Sequence, residues 1–391
     1  MKVSKLISGA ILMVGGAMAQ AQGLPVFKIG VVTASTGAAA TIAAPANAAI
    51  ELYREQLAAR KDLPFKVEFI QYDDASDPTK SVNNVRKLIQ EDGAAMIVCC
   101  TTTPSSLAVA KVSEAGHVST IAMASGAAVV EPPAEKRYMF KTPVTDRLMI
   151  GHTLDYMAKH GVKTVAFLGL EDAYGEGGWD ELKALAGKKG IKIVSSERFA
   201  RADTNFTPQA LKTMQAKPDA VYIHAIPPSA SLVHEALKRV GYKGPIYHGA
   251  GSATTAFVTI GKAAVEGAIV GVMPITVYRE LAADNPLRKS IGDFVKAYDA
   301  KYGEGKAEMF AVQAYDAVGL SVDAIRRYVA SGKKGDLEQT RKDLRDELEK
   351  THEYAGAVGI FNFTPTDHVG LDERTLFLTQ IKNGQFRMIK E

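Results

Sequence analysis

Hydrophobic and polar positions fall into blocks that predict strands followed by helices. The run VFKIGVV (26–32) is apolar and rich in β-branched residues, as in a buried strand. ANAAIELYREQLAAR (46–60) then has apolar residues at helical spacing. A strand, FKVEFIQYDD (65–74), precedes a helix that Asp77 and Pro78 open and Gly93 closes. The strands AMIV (95–98) and VSTIAMASG (118–126) complete a first unit.

The same alternation restarts at TVAFLGL (164–170) and continues to GAIVGVMP (267–274). Strands that alternate with helices indicate parallel sheets covered on both faces. The last third is instead read as a helical region (286–330), a charged helix (337–350) and a hairpin whose turn is Asn383-Gly384.

The predicted fold class is therefore α/β, with two Rossmann-like lobes whose central parallel sheets are joined by a multi-strand hinge. We expect the chain to cross between the lobes near residues 140–145, 273–277 and 354–361. The predicted domains are residues 24–142 plus 275–354 for lobe 1, and 143–274 plus 355–391 for lobe 2.

The N-terminal segment MKVSKLISGAILMVGGAMAQAQG has a positive start, a short apolar stretch and a small-residue cleavage site. We expect residues 1–21 to be a signal peptide, cleaved after Ala19 or Ala21, which directs the protein to the periplasm. The remaining chain has no apolar run long enough to span a bilayer. The formal charge of +4 is not concentrated in basic runs, which gives no case for nucleic-acid binding.

The only two cysteines, Cys99 and Cys100, are adjacent. Neighbouring residues lie closer than the usual Cα spacing of an unstrained disulfide, so we expect two small buried thiols without a bridge.

Enzyme motifs are missing from the chain. There is no G-x-S-x-G elbow and no G-x-x-x-x-G-K-[ST] phosphate loop. GAGSATT (249–255) lacks the third glycine of a dinucleotide fingerprint, and HEALK (234–238) lacks the second histidine of a zinc helix. We therefore expect a protein that is not an enzyme, with no cofactor, no metal and no catalytic residues.

The hydroxyl-rich segment CCTTTPSS (99–106) points to ligand binding. Thr101, Thr102 and Thr103 follow a predicted strand and precede a helix. In an open parallel sheet ligands lie beyond the carboxyl ends of the strands, where a helix N-terminus favours an anion. Ala124, Ser125 and Gly126 end the neighbouring strand and leave room for close backbone approach. The alternative is that the hydroxyls only cap the helix, which we expect for one of the three threonines.

Several segments, in order and spacing, resemble the periplasmic solute-binding proteins of ABC importers, of the branched-chain amino-acid (leucine/isoleucine/valine) type. The resemblance covers nearly the whole mature chain and rests on KIGVVTASTG (28–37), YDDASDPTKSVNNVRKLIQEDGAAMIV (72–98), DAYGEGG (172–178), GKAAVEGAIV (261–270) and QAYDAVGL (313–320). It implies a type I periplasmic binding fold that closes on a small ligand, and delivery of that ligand to a membrane permease driven by an ATPase subunit. We expect a monomer.

The resemblance also implies contacts from the second lobe. Tyr174 matches the tyrosine of the family's Y-G turn. Ile226 and Pro227, and His248 with Ala250, fall at the other strand ends of lobe 2, and Phe310 is implied as a side-chain wall.

One departure from the family pattern concerns the ligand. Amino-acid binders of this family place a carboxylate after the PIYHG strand to receive the ammonium group, whereas here no acid occurs from Tyr247 to Lys262. A buried ammonium without a carboxylate is costly. The ligand is then an organic or aromatic acid without an α-amino group, unless Glu171 or Asp172 takes over this role. A branched-chain or other aliphatic amino acid, and a ligand sensor of the same fold, remain the alternatives.

Overall fold

The computed structural model describes residues 23–390, so the predicted signal peptide lies outside the described residues. The first sheet has five parallel strands in the order β2-β1-β3-β4-β5. These are β1 (Val26–Thr33), β2 (Lys66–Asp73), β3 (Met96–Cys99), β4 (Thr120–Ala122) and β5 (Met139–Lys141). The helices between them are α1 (Ala40–Ala59), α2 (Pro78–Gln90) and α3 (Thr103–Ala115).

The second sheet is mixed and has seven strands in the order β14-β13-β10-β9-β8-β6-β7. Its parallel part contains β6 (Thr164–Leu170), β7 (Lys192–Phe199), β8 (Ala220–His224), β9 (Ile246–His248) and β10 (Ile269–Val272). The predicted hairpin, β13 (Phe377–Lys382) and β14 (Gln385–Met388), adds the antiparallel edge. The surrounding helices are α4 (Asp146–Lys159), α5 (Ala173–Ala186), α6 (Thr207–Gln215), α7 (Ser229–Arg239) and α8 (Thr255–Gly261).

The short helix α9 (Pro274–Val277) follows β10 and contacts the edge strand β14 of the second sheet. The later helices, α10 (Leu287–Tyr302), α11 (Met309–Ala330) and α12 (Leu337–Leu348), return to the first sheet. Both α10 and α11 pack against α1. The single helical region predicted over 286–330 is two helices, because Gly303 and Gly305 between them have φ values of 105° and 74°, a conformation that glycine adopts without steric cost. The first helix begins at Ala40, before its predicted start, and continues through Pro45.

The chain passes between the two halves of the molecule three times. It leaves the first sheet after β5, leaves the second sheet after β10, and returns to it through β11 (Tyr354–Ala355) and β12 (Ile360–Phe361). The buried carboxylate of Asp316 in α11 fixes the segment between β11 and β12. It accepts hydrogen bonds from the backbone N–H groups of Ala357 at 2.9 Å and Val358 at 2.6 Å.

The prediction for the cysteines is wrong. Cys99 and Cys100 are fully buried at the end of β3 and are joined to each other by a disulfide, with Cα atoms 3.1 Å apart and a cis peptide bond between them. Sequence reasoning rejected the bridge because the usual range of Cα spacing begins at about 4.4 Å.

Within residues 23–390, no helix combines the length and the apolar character that a membrane span requires.

Candidate functional site

A cavity with an empty volume of about 460 Å³ lies where the carboxyl ends of the strands of both sheets face each other. We call it the interlobe cavity. Its position, beyond the carboxyl ends of parallel strands, follows the rule for ligands of open α/β sheets. It is lined by Ile42, Thr101, Thr102, Thr103, Met123, Ala124, Ser125, Pro143, Val144, Tyr174, Arg201, Ile226, Ala250, Gly251, Met273, Met309, Phe310 and Gln313.

The structure brings nine of the twelve predicted residues to this cavity. They are Thr101, Thr102, Thr103, Ala124, Ser125, Tyr174, Ile226, Ala250 and Phe310. Gly126, Pro227 and His248 do not line it.

The three threonines have different hydrogen-bond partners. Thr102 is the N-cap of α3 and accepts from the backbone N–H of Ser105 at 3.4 Å, the capping role expected for one of them. Thr101 accepts from the N–H of Ala34, also at 3.4 Å. The hydroxyl of Thr103 is buried and has no hydrogen-bond partner. Thr103 is thus the one of the three whose hydroxyl has no partner, while the hydroxyls of Thr101 and Thr102, which only accept in these bonds, can still donate to a ligand.

Gly126 acts on the site indirectly. A Cβ atom at this position would lie 2.7 Å from Cγ2 of Thr103, so the glycine leaves the space that the threonine side chain occupies. Any larger residue would therefore force the side chain of Thr103 to move.

A cation lies behind the first-lobe wall. Lys141 is fully buried, and its ammonium group donates to the carbonyl oxygens of Ser125 and, at 3.3 Å, Gly126. Burial lowers the pKa of Lys141 to about 8, although the nearby Asp146 carboxylate acts in the opposite direction. Its ammonium group thus fixes the backbone of Ser125, a cavity residue, from behind.

Tyr174 forms much of the second-lobe wall. Its ring lies against that of His224, with centroids 4.1 Å apart, and its buried hydroxyl lies beside the backbone N–H of Gly251 while the phenol's own proton has no acceptor. Burial raises the pKa of Tyr174, so the phenol stays protonated and is able to donate. A Cβ atom on Gly251 would lie 2.7 Å from this hydroxyl, which is why the cavity has a glycine beside it.

His248 supports the wall from behind instead of contacting the cavity. Its Nε2 lies 2.9 Å from Nδ1 of His234, and its Nδ1 lies 3.2 Å from the hydroxyl of Ser252. Burial lowers the pKa of both imidazoles, that of His234 to about 3. These neutral rings position the loop that contains Ala250, a cavity residue.

Arg201, which follows β7, lines the cavity and was not predicted. Its Nε donates to Oδ2 of Asp172 at 2.5 Å, while its Nη1 is buried without a partner. The other oxygen of Asp172 accepts from the backbone N–H groups of Tyr174 and Gly175, at 2.9 and 3.2 Å. A signal was present in the sequence, since Arg201 follows a predicted strand of the lobe that supplies Tyr174.

The helix α11 contributes the last wall. Phe310 is buried against the cavity, as the family resemblance implied. Gln313 accepts at its backbone carbonyl from the hydroxyl of Thr142 at 3.0 Å, but its side-chain oxygen Oε1 is buried without a partner. Unpaired polar groups thus face the cavity from the first sheet, the second sheet and the helix α11.

Two polar contacts join the halves outside the cavity. Arg147 of α4 donates to Glu131, on the side of the first sheet, at 2.8 Å and to Glu181 of α5 at 2.9 Å. The backbone N–H of Thr255 donates to Glu308 at 3.0 Å. The contacts of Arg147 with Glu131 and of Thr255 with Glu308 would break if the two halves moved apart.

Among the residues that line the cavity there is one cation, Arg201, and no carboxylate. The described part of the chain, residues 23–390, contains no group of side chains suited to a metal ion. The arrangement suits a small molecule with an apolar body and oxygen atoms that accept hydrogen bonds.

Two α/β lobes that enclose such a cavity between facing strand ends define a two-lobed ligand-binding protein. The chain belongs to the periplasmic binding protein family, whose sequence profile matches residues 26–385. The fold class predicted from the sequence is confirmed, as the fold is that of type I periplasmic binding proteins.

Similar proteins include the leucine-, isoleucine-, valine-, threonine- and alanine-binding protein of Pseudomonas aeruginosa, which is 25% identical over 310 residues, 79% of this chain and 75% of the relative. An extracellular ligand-binding receptor from Rhodopseudomonas palustris is 34% identical with a TM-score of 0.86, covering 93% of this chain and 99% of that chain. The substrate-binding protein of a branched-chain amino-acid transporter from Streptococcus pneumoniae, in complex with isoleucine, is 21% identical with a TM-score of 0.79, covering 94% and 100%.

Proposed function

We infer that this protein is the solute-binding component of an ABC importer, which captures a small carboxylate-bearing ligand in the interlobe cavity and delivers it to a membrane permease. The observation that carries the proposal is the set of unpaired, buried polar groups around a cavity without acidic residues. Three of them, Thr103, Tyr174 and Arg201, offer hydrogen-bond donors from opposite sides, and one, Oε1 of Gln313, is an acceptor. A carboxylate satisfies such donors, and leaving them buried without an acceptor costs free energy.

Transport by this mechanism requires the lobes to open and close. In the proposed cycle, the three chain crossings are the hinge and divide the molecule into lobe 1 (24–142 and 275–354) and lobe 2 (143–274 and 355–391). The mature protein is a periplasmic monomer that does not turn its ligand over, and the N-terminal residues 1–21 are removed on export.

A branched-chain or other aliphatic amino acid is the second candidate ligand. The names of the relatives from Pseudomonas aeruginosa and Streptococcus pneumoniae favour it. The residues around the cavity argue against an amino acid, because its ammonium group needs a carboxylate. Glu171 is exposed and does not line the cavity. Both oxygens of Asp172 already accept hydrogen bonds from Arg201 and the start of α5.

Small-angle X-ray scattering on the mature protein tests the proposal. A screen of carboxylic acids and amino acids by thermal shift first selects the compound that stabilises the protein most. We expect that compound to reduce the radius of gyration, because it closes the lobes. A radius of gyration that stays the same at saturating ligand would contradict closure, and turnover of the compound would contradict a binding role.

A further inference from the structure

We propose that Arg201 contacts the ligand and restricts it to acids that carry a second oxygen acceptor and no α-ammonium group. This inference rests on the proposed function, because it concerns the same cavity. It assigns a role to a residue that neither the sequence motifs nor the names of the relatives point to.

The first argument is the geometry of the guanidinium group. Its side chain is 17% exposed, and the short contact from Nε to Asp172 holds it in one orientation. Asp172 is itself held as the N-cap of α5. Nη1 remains buried and unpaired at the cavity. Arginine has only donors and stays charged at all relevant pH values, so the missing partner must be an acceptor.

The second argument is the charge around the cavity. Arg201 is the one charged residue that lines it, and Asp172, the carboxylate that balances Arg201, already accepts three hydrogen bonds. An ammonium group near this end would meet a cation, and the buried carboxylate of Asp146, whose Oδ2 is unpaired, does not line the cavity. A keto, hydroxyl or second carboxylate oxygen at the same place would instead accept from Nη1.

Tyr174, which lies near Arg201, adds a second donor on the same side of the cavity. The phenol of Tyr174 lies close enough to the guanidinium for the positive charge to lower its pKa in part, although burial raises the pKa overall. Tyr174 and Arg201 therefore present two unpaired donors on the second-lobe side, and Thr103 presents a third on the first-lobe side. A ligand with oxygen acceptors at both positions satisfies all three.

The test compares three pairs of ligands by isothermal titration calorimetry: leucine with ketoisocaproate, phenylalanine with phenylpyruvate, and alanine with pyruvate. The members of a pair share a carbon skeleton and differ in an ammonium group or a keto oxygen. We expect a keto acid to bind more tightly than its amino acid in each pair that shows binding, and at least one keto acid to bind.

The variant Arg201→Gln keeps a donor for Asp172 but removes the charge. We expect it to weaken binding of the keto acid at least about tenfold, the effect of losing a charge-assisted hydrogen bond. Arg201→Lys, which keeps the charge but not the planar fork, should give a smaller loss and serves if the first variant does not fold. Arg239→Gln, at an exposed arginine of α7 outside the cavity, is the matched control and should bind as the wild type does.

Each outcome decides the question. An amino acid that binds more tightly than its keto partner, or a keto acid that binds both Arg201 variants as tightly as wild type, would overturn the inference and leave the proposed function standing. If none of the six compounds binds, the inference fails. The proposed function fails only if the wider acid and amino-acid screen is also negative.

Discussion

The substitution Tyr174→Phe, which removes only the phenol hydroxyl, tests whether this group binds the ligand. The hydroxyl of Tyr174 is buried at the interlobe cavity beside the backbone N–H of Gly251, and its own proton has no acceptor, so Tyr174→Phe removes at most that one contact from the unliganded protein. Burying an unpaired hydroxyl costs about 1–3 kcal/mol, and we expect the free energy of unfolding to stay the same or to rise within that range.

Ligand binding should respond in the opposite direction. If the hydroxyl donates to the ligand, its loss removes a hydrogen bond worth about 0.5–1.5 kcal/mol, which raises Kd about 2- to 13-fold. The matched control is Tyr222→Phe. Tyr222 is also fully buried in lobe 2 with an unpaired hydroxyl, but it does not line the cavity.

The assay combines chemical denaturation of both unliganded variants with calorimetric titration of the acid that stabilises the wild type most. The reasoning predicts similar unfolding free energies for the two variants and a higher Kd for Tyr174→Phe alone. An unchanged Kd in Tyr174→Phe, or an equal rise in both variants, would refute it.

The remaining predictions concern pH and the contact between the halves. The imidazoles of His234 and His248 have pKa values far below their unfolded value of about 6.5, so they stay neutral in the folded protein while the unfolded chain binds protons below that pH. The free energy of unfolding should therefore fall as the pH drops below about 6.5. In denaturation experiments below that pH, the free energy of unfolding of His248→Asn should fall by about 1.4 kcal/mol less per pH unit than that of the wild type. Arg147→Gln removes a half-exposed link between Glu131 and Glu181, and should raise Kd by less than about fivefold while making it less sensitive to salt in calorimetric titrations. A Kd that depends equally on salt in both proteins would contradict this role of Arg147.

The sequence predicted the parts of the site that follow from local pattern. Thr101 to Thr103 and Ala124-Ser125 stand at the carboxyl ends of apolar runs, and parallel sheets bring such ends to one edge. Tyr174 and Phe310 came from a family resemblance and line the same cavity.

The remaining features depend on tertiary contacts that no local pattern encodes. Arg201 becomes a cavity residue because Asp172, distant in sequence, orients it. Lys141 supports the first wall through the carbonyl oxygens of Ser125 and its neighbour, and Gln313 reaches the cavity from a helix far along the chain.

His248 was predicted as a ligand contact but does not line the cavity. It is the last residue of β9, but its imidazole is fixed beneath the wall by His234 and Ser252. Residues in a strand alternate between the two faces, and a strand end alone does not tell which face meets the cavity.

The measurement that tests the central claim most directly is a thermal-shift comparison of small carboxylic acids with their primary amides on the mature protein. A ligand at a hundred times its Kd stabilises the folded state by about 2.7 kcal/mol, which is enough for a clear shift in Tm. If the ligand is recognised through its carboxylate, an acid will raise Tm and the amide of the same skeleton will not. An amide that stabilises the protein as strongly as its acid would contradict the account.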